Sequence, residues 1–148
     1  MAQSTPTFQD AELTLRLYDL RRETVMRESR NLLNGKFWPK SYEDFAAITK
    51  PDHQLNAAFR QVSGYWEMAY SMARHGIAHA DFLAENNAEG LFFYAKIYPY
   101  IEQFRKDVSP TAFTNTEWIT KNSNVARQRL ETIQKRLSAM MEMMQSMK

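Results

Sequence analysis

The stretch LNAAFRQVSGYWEMAYSMAR, residues 55–74, decides the fold class. Its apolar residues recur at steps of three and four, which is the spacing of one face of an α-helix. They are Leu55, Phe59, Val62, Trp66, Ala69 and Met72 or Ala73. We expect a helix that runs to about Arg74 and stops at Gly76. Gly64 lies inside it at a cost of about 1 kcal/mol relative to Ala, which predicts a close helix crossing or a slight bend.

The composition excludes several other classes of protein. Among 148 residues there are no Cys and only four Gly, against nine Met, nine Phe and seven Tyr. So few glycines cannot serve the many tight turns of a β-sandwich or barrel. The lack of Cys excludes disulfide frameworks, Cys-ligated zinc, iron–sulfur clusters and thiol catalysis. The length fits one domain, so we predict a single domain over residues 1–148, with residues 1–9 disordered.

No targeting signal is evident at the N-terminus. Residues 1–10 are mostly polar and lack the basic-then-apolar order of a signal peptide. No stretch approaches the roughly 18 consecutive apolar residues of a transmembrane helix. We therefore expect a cytoplasmic protein with no membrane span.

Apolar spacing and helix-ending residues predict the remaining helices. They are a first helix over residues 10–34, a short helix over 42–48, a helix over 81–106 that kinks or breaks at Pro99, and a last helix from residue 116 to the C-terminus. The chain is thus predicted to be all-α. We expect a helical bundle of four main helices plus one or two short helices, with a long C-terminal helix.

The last helix carries a candidate interface. Its apolar residues alternate at steps of three and four along one seam. They are Leu130, Ile133, Leu137, Met140, Met144 and Met147. At ~1.5 Å per residue the helix would be roughly 48 Å long, so its end is expected to project or to meet a partner. The seam has three possible occupants: the first helix of the same chain, a second copy that makes a dimer, or a hydrophobic ligand or peptide.

In a chain without Cys, the three histidines are the candidate metal ligands. His75 and His79 are four residues apart, but Gly76 is expected to end the helix between them, so the two imidazoles would not share one helix face. His53 would join them only if the fold brought it close. Di-iron bundles need two Glu-x-x-His motifs, and the sequence has none. We predict no metal and no cofactor, and locally hydrogen-bonded histidines; a metal site is the alternative.

Glu67 is the acid best suited to a buried position, because it follows Tyr65 and Trp66 in the apolar stripe. A buried acid is rarely left unpaired, and Arg105 or another Arg is the expected partner in a structural salt bridge between two helices. The alternative is a pocket that binds a small molecule. Its candidate lining is Trp66, Glu67, Tyr70, Tyr94, Tyr98 and Arg105. The sequence has neither a nucleophile elbow nor a glycine-rich phosphate loop, so we name no catalytic residue and do not favour an enzyme.

Positive charge also collects in the last helix. Between residues 121 and 136 there are five bases and a single acid, Glu131. The bases are Lys121, Arg127, Arg129, Lys135 and Arg136. A protein that binds duplex nucleic acid normally spreads Lys and Arg over a wider patch, so nucleic-acid binding ranks third among the functions considered.

Several motifs in the middle of the chain resemble a known family. They are Tyr65-Trp66-Glu67, Gly76, Phe92 to Tyr94, Pro99 and Arg105, preceded by residues 17–22. Over residues 11–107 the chain is similar to a widespread family of small bacterial all-helical proteins of unknown function. Some members look membrane-tethered by an N-terminal apolar helix, which we do not expect in this chain. The resemblance implies that Glu67 and Arg105 belong to one shared structural feature, and it implies no activity.

These patterns together favour a non-enzymatic helical interaction or accessory protein that self-associates through its C-terminal helix. A small-molecule-binding or metal-dependent bundle with a pocket near Glu67 is the alternative. A weak nucleic-acid binder is the third hypothesis, and a protein partner other than a second copy remains open.

Overall fold

The computed structural model describes residues 5–147, which form nine α-helices and one 3-10 helix, with no β-strand among them. The α-helices are α1 (Phe8–Arg21), α2 (Thr24–Lys36), α3 (Tyr42–Ile48), α4 (Asn56–Arg74), α5 (Ala80–Asn86), α6 (Glu89–Ile97), α7 (Ile101–Asp107), α8 (Thr114–Asn122) and α9 (Asn124–Ser146). The 3-10 helix, Tyr98–Tyr100, joins α6 to α7. The all-α prediction is confirmed. None of the described helices is both long and apolar enough to cross a membrane.

The helix predicted from residues 55–74 is α4, and it packs against both α2 and α8. Its buried face includes Val62, Trp66 and Tyr70, as the spacing of three and four requires. The helix ends at Arg74, and Gly76 has a φ of 74°, a left-handed conformation that glycine adopts without strain. The prediction for this segment is therefore confirmed at its C-terminal end.

The prediction of four main helices is wrong, because the longer predicted helices are interrupted. The first interruption separates α1 from α2. The carboxylate of Glu23 accepts the backbone N–H groups of Val25 at 3.0 Å and Met26 at 3.2 Å and so caps α2. Glu is not among the common N-cap residues, which is why the pattern of apolar residues alone predicted one continuous helix.

Two further interruptions are held by tertiary contacts. The carbonyl oxygen of Asn87, between α5 and α6, accepts the hydroxyl of Tyr70 at 2.8 Å. Ser123, between α8 and α9, accepts the N–H of Ala126 at 3.1 Å and donates to Asp81 Oδ1 at 2.6 Å. The predicted break at Pro99 is confirmed by the 3-10 turn. With 23 residues, α9 is roughly 35 Å long, shorter than predicted.

Of the two reasons expected for Gly64, a close helix crossing or a slight bend, the close crossing is absent. A Cβ atom at Gly64 would meet nothing within 4 Å. The close approach lies instead at Gly90 of α6, where a Cβ would stand 2.7 Å from ring atoms of Trp66 and 2.7 Å from the hydroxyl of Tyr70. The glycine that packing requires is therefore the one on α6, which lies against α4.

The N-terminal segment predicted to be disordered is described only from residue 5; residues 1–4 lie outside the described residues. Thr7 caps α1, and the Asp10 carboxylate accepts the backbone N–H of Thr7 at 2.7 Å. Asp10 also accepts the backbone N–H of His79 at 2.9 Å. These hydrogen bonds outweigh burial and lower the pKa of Asp10, and they tie the start of α1 to the start of α5.

Candidate functional site

The Glu67 carboxylate, on α4, holds the N-terminus of α8. Its Oε1 accepts the backbone N–H of Asn115 at 3.2 Å, and its Oε2 accepts the N–H and hydroxyl of Thr116 at 2.9 and 2.8 Å. The N-cap residue of α8, Phe113, offers no side-chain cap of its own. Because unpaired N–H groups and the helix dipole favour an anion there, Glu67 serves as the cap and joins α4 to α8.

Arg105 makes a different ion pair, so the predicted salt bridge between Glu67 and Arg105 is wrong. From α7 its Nη1 donates to Glu117 Oε2 at 2.7 Å, and its Nε donates to the carbonyl of Ala112 at 2.8 Å. The hydrogen bond from Arg105 lowers the pKa of Glu117, and Lys121 adds to this effect. Glu67 and Arg105 thus hold the same helix, α8, through separate contacts.

A groove of about 620 Å³ lies between α4 and the segment that leads into α8, and we call it the Glu67 groove. Its lining is Phe59, Ser63, Gly64, Glu67, Arg74, Phe104, Ser109 and residues 111–115. The groove combines aromatic walls with one carboxylate and one guanidinium. That arrangement suits the binding of a small molecule with an apolar body and a polar end.

Backbone strain occurs at the wall of this groove. Phe113 has a φ of 59°, and a left-handed conformation costs a residue with a Cβ about 1–2 kcal/mol. Such strain is common at functional sites. Arg74 donates to Asn115 Oδ1 at 3.1 Å, and Asn115 in turn donates to the backbone carbonyl of Glu67 at 3.3 Å. The polar groups of the groove are therefore linked to one another around the start of α8.

The four aromatic residues predicted to line a pocket with Glu67 are not part of the lining of the Glu67 groove. Trp66 and Tyr70 are buried with stacked rings 5.6 Å apart, and Tyr94 and Tyr98 meet edge to face at 5.6 Å. Burial raises the pKa of both Tyr70 and Tyr94. Their phenols are therefore protonated near neutral pH. Of the six candidate residues, only Glu67 lines the groove.

Two of the three histidines, His75 and His79, line one cavity together with Asp81. The Nδ1 of His53 accepts the N–H of Leu55 at 3.0 Å, and the Nδ1 of His79 accepts the N–H of Phe82 at 3.1 Å as the cap of α5. His75 is the C-cap of α4. Within residues 5–147 no group of three His, Cys, Asp or Glu residues is arranged to hold a metal ion.

Sequence analysis missed Lys96, which is only 4% exposed. Its Nζ donates to the carbonyls of Phe37 at 2.8 Å and Leu33 at 3.4 Å, at the C-terminal end of α2. It also lies 4.0 Å from the ring centroid of Trp38 and 4.8 Å from that of Phe92. Burial lowers the pKa of Lys96 to about 8. The signal in the sequence is a lone lysine inside the apolar run 91–97.

A second missed contact braces α6 against the corner between α1 and α2. The Glu89 carboxylate accepts Nη1 of Arg21 at 2.8 Å and Nε of Arg30 at 2.6 Å. Arg30 also donates to the backbone carbonyl of Arg21 at 3.1 Å. Glu89 lies 68 residues after Arg21 and 59 residues after Arg30 in the chain.

The predicted seam of α9 divides into a buried and an exposed part. Leu130 and Leu137 are 7% and 8% exposed, and Ile133 is half-buried against the core. Beyond Leu137 the exposed fractions rise. They are 41% for Met140, 65% for Met143, 39% for Met144 and 80% for Met147. We call these four side chains the methionine tip.

The basic residues of α9 fall into two groups. Arg127 is engaged locally, since it donates to Asn124 Oδ1 and to the carbonyl of Lys121, each at 2.7 Å. Arg129 and Arg136 instead line a cavity of about 480 Å³ between α5 and α9, together with Glu85. We call it the α5–α9 cavity. Its apolar lining is Ala88, Val125 and Ile133.

The fold and these contacts define an all-helical protein in which charged side chains join neighbouring helices. Its last helix ends in exposed methionines. The chain belongs to the family of the domain of unknown function DUF4760, whose model matches residues 6–123. The match ends at Ser123, the N-cap of α9. The resemblance to a family of unknown function is thereby confirmed. No curated protein and no solved structure matches the chain.

Proposed function

We propose that this protein is a non-enzymatic, cytoplasmic helical interaction protein that forms a homodimer through the methionine tip of α9. The observation that supports this proposal is the run of four exposed methionines that follows Leu137, the last buried leucine of the seam. Exposed apolar side chains that are clustered mark interaction sites, whereas scattered ones are ordinary.

Methionine suits such a surface because its unbranched, flexible side chain adapts to different contacts. The apolar seam of α9 continues into the last two turns of the helix, but few side chains there contact the core. Of the methionines in these two turns, only Met141 is half-buried against the core. A second copy could cover this surface, because a twofold axis brings the same set of side chains from both copies into one interface.

The proposal that the protein is not an enzyme is supported by the engagement of three charged groups that are buried or half-buried. Glu67 caps α8, Glu89 pairs with two arginines, and Lys96 caps α2. Each of these contacts stabilises the fold. A catalytic site would instead need a nucleophile or base with access to a substrate.

Sedimentation equilibrium tests the proposal. Between about 1 and 500 µM the wild-type protein should pass from monomer to dimer, because a small apolar interface corresponds to micromolar affinity. The double variant Met140→Gln/Met143→Gln, which keeps side-chain length but adds polarity, should weaken the dimer about tenfold or more. Leu15→Gln, at an exposed position of α1, should leave the affinity unchanged. A monomer throughout, or equal affinity in the methionine variant, contradicts the proposal.

Small-molecule binding in the Glu67 groove is the second candidate function, favoured by the strained backbone of Phe113. A hydrophobic dye such as anilinonaphthalene sulfonate is a suitable probe, since it combines an aromatic body with an anion. Its fluorescence should rise with wild-type protein. The signal should be lost in Gly64→Leu, which fills the groove, and kept in the methionine double variant. Equal fluorescence in the wild type and Gly64→Leu contradicts binding in this groove.

A further inference from the structure

The methionine tip lies on a longer stripe of α9. Steps of three and four, with Thr132 and Ile133 side by side, carry this stripe from the wall of the α5–α9 cavity to the end of the helix. Its residues are Arg129, Thr132, Ile133, Arg136, Met140, Met143 and Met147. The first half borders a cavity of about 480 Å³, and the second half consists of exposed apolar side chains. One half thus offers a receptacle and the other offers side chains that could fill it.

We propose that two copies pair through α9 in antiparallel orientation, so that the methionine tip of each copy occupies the α5–α9 cavity of the other. This inference rests on the proposed self-association and assigns its geometry. A twofold axis near Ser138 sets Met147 beside Arg129 of the second copy. The same axis sets Met143 beside Ile133 and Met140 beside Arg136.

Charge favours the antiparallel arrangement. In a parallel pair Arg129 would face Arg129 and Arg136 would face Arg136, and like charges at close range are destabilising. In the antiparallel pair each guanidinium group lies beside an uncharged methionine, and the methylene stem of the arginine adds apolar contact. Glu85, which also lines the cavity, supplies a carboxylate near the two arginines of its own copy.

The area required for a stable dimer also favours the antiparallel arrangement. Four partly exposed methionine side chains provide less than the ~800 Å² that each partner contributes to a standard interface. Pairing over the stripe from Arg129 to Met147 extends the contact along ~27 Å of helix and adds the lining of the cavity. Ala139, exposed and next to the proposed axis, has a small side chain that allows the two helices to approach closely.

Because these 148 residues contain no Cys, disulfide cross-linking of single-cysteine variants under mild oxidation provides a direct test. Ala139→Cys should cross-link to itself, because the two residues lie next to the axis. An equimolar mixture of Thr132→Cys and Met143→Cys should give the mixed disulfide in preference to either homodimer. Met147→Cys should not cross-link to itself, since the two residues would lie ~27 Å apart. Gln61→Cys, exposed on α4, controls for random collision.

The possible outcomes separate the geometry from self-association itself. Efficient linkage through Ala139→Cys with none through Met147→Cys supports the antiparallel pair. Linkage through Met147→Cys, or through Met143→Cys alone, in a protein that sedimentation finds dimeric, overturns the geometry and leaves the dimer standing. A protein that stays monomeric in sedimentation and whose variants link no better than Gln61→Cys overturns both proposals.

Discussion

Two methionines with nearly equal exposure show how the region that matches the family differs from α9. Met68, on α4, is 42% exposed, and Met140, on α9, is 41% exposed. Met68 lies within the region that matches the family, where Glu67 beside it caps a neighbouring helix. Met140 belongs to a group of four exposed methionines beyond that region. The exposed fraction of a single side chain therefore does not indicate association, whereas a cluster of exposed apolar side chains does.

The largest effect on the free energy of unfolding is expected from a substitution at the contact between α4 and α6. Gly90→Ala should lower the free energy of unfolding by about 3 kcal/mol, because the new Cβ overpacks against Trp66 and Tyr70. Gly64→Ala is the matched control and should raise the free energy of unfolding by about 0.5–1 kcal/mol, since it faces open space inside a helix. Urea titrations measure both changes. Equal effects of the two substitutions would mean that α6 does not pack closely on α4.

The next effect concerns Lys96 and depends on pH. Because burial lowers its pKa from 10.5 to about 8, the unfolded chain binds more protons than the folded protein between about pH 8 and 10.5. The free energy of unfolding should therefore rise with pH in this window, by about 2 kcal/mol relative to a Lys96→Met variant. The hydrogen bonds to two carbonyls and the contact with the Trp38 ring favour the charged ammonium, so they reduce this rise of the free energy of unfolding with pH.

Urea titrations of both proteins at pH 7, 8, 9 and 10 provide the comparison, and they stop at about pH 10 because exposed tyrosines titrate above it. Identical pH profiles for the wild type and Lys96→Met would show that Lys96 titrates as it does in water. That result would contradict the desolvation of its ammonium group by burial.

A smaller effect is expected at the cap of α8. Glu67→Gln keeps an oxygen acceptor but removes the charge, so the free energy of unfolding should fall by about 1 kcal/mol. Glu131→Gln, at an exposed position of α9, should change it by less than about 0.5 kcal/mol. Thermal unfolding at pH 7 distinguishes the two. A Glu67→Gln variant as stable as Glu131→Gln would argue against the capping role.

Sequence patterns predicted the elements whose signals are local. The apolar spacing of α4, the short helix α3 and the break at Pro99 all depend on residues close together in the chain. The breaks at Asn87 and Ser123 were missed because long-range hydrogen bonds hold them, to Tyr70 and Asp81 respectively. Helix boundaries that depend on tertiary contacts leave only a weak trace in the sequence.

The candidate site was only partly predicted, again because some of its contacts join residues that are distant in the sequence. Glu67 was singled out because it follows two aromatic residues, and it does make a structural contact. Its partner was predicted wrongly because backbone N–H groups at a helix N-terminus balance a carboxylate as a side chain does, and the sequence does not show where that N-terminus will lie. Lys96 was missed because the carbonyls that accept its hydrogen bonds belong to residues about 60 positions away.

The central claim, that the methionine tip is the surface through which the protein associates, is tested most directly by NMR of ε-methyl groups labelled with ¹³C. The nine methionines report on both regions at once. As protein concentration rises from about 10 to 500 µM, the resonances of Met140, Met143, Met144 and Met147 should shift together along one binding curve, while those of Met26, Met68 and Met72 stay in place. Shifts at Met68 that match those at Met140, or a dimer that forms without shifts at the tip, would contradict the account.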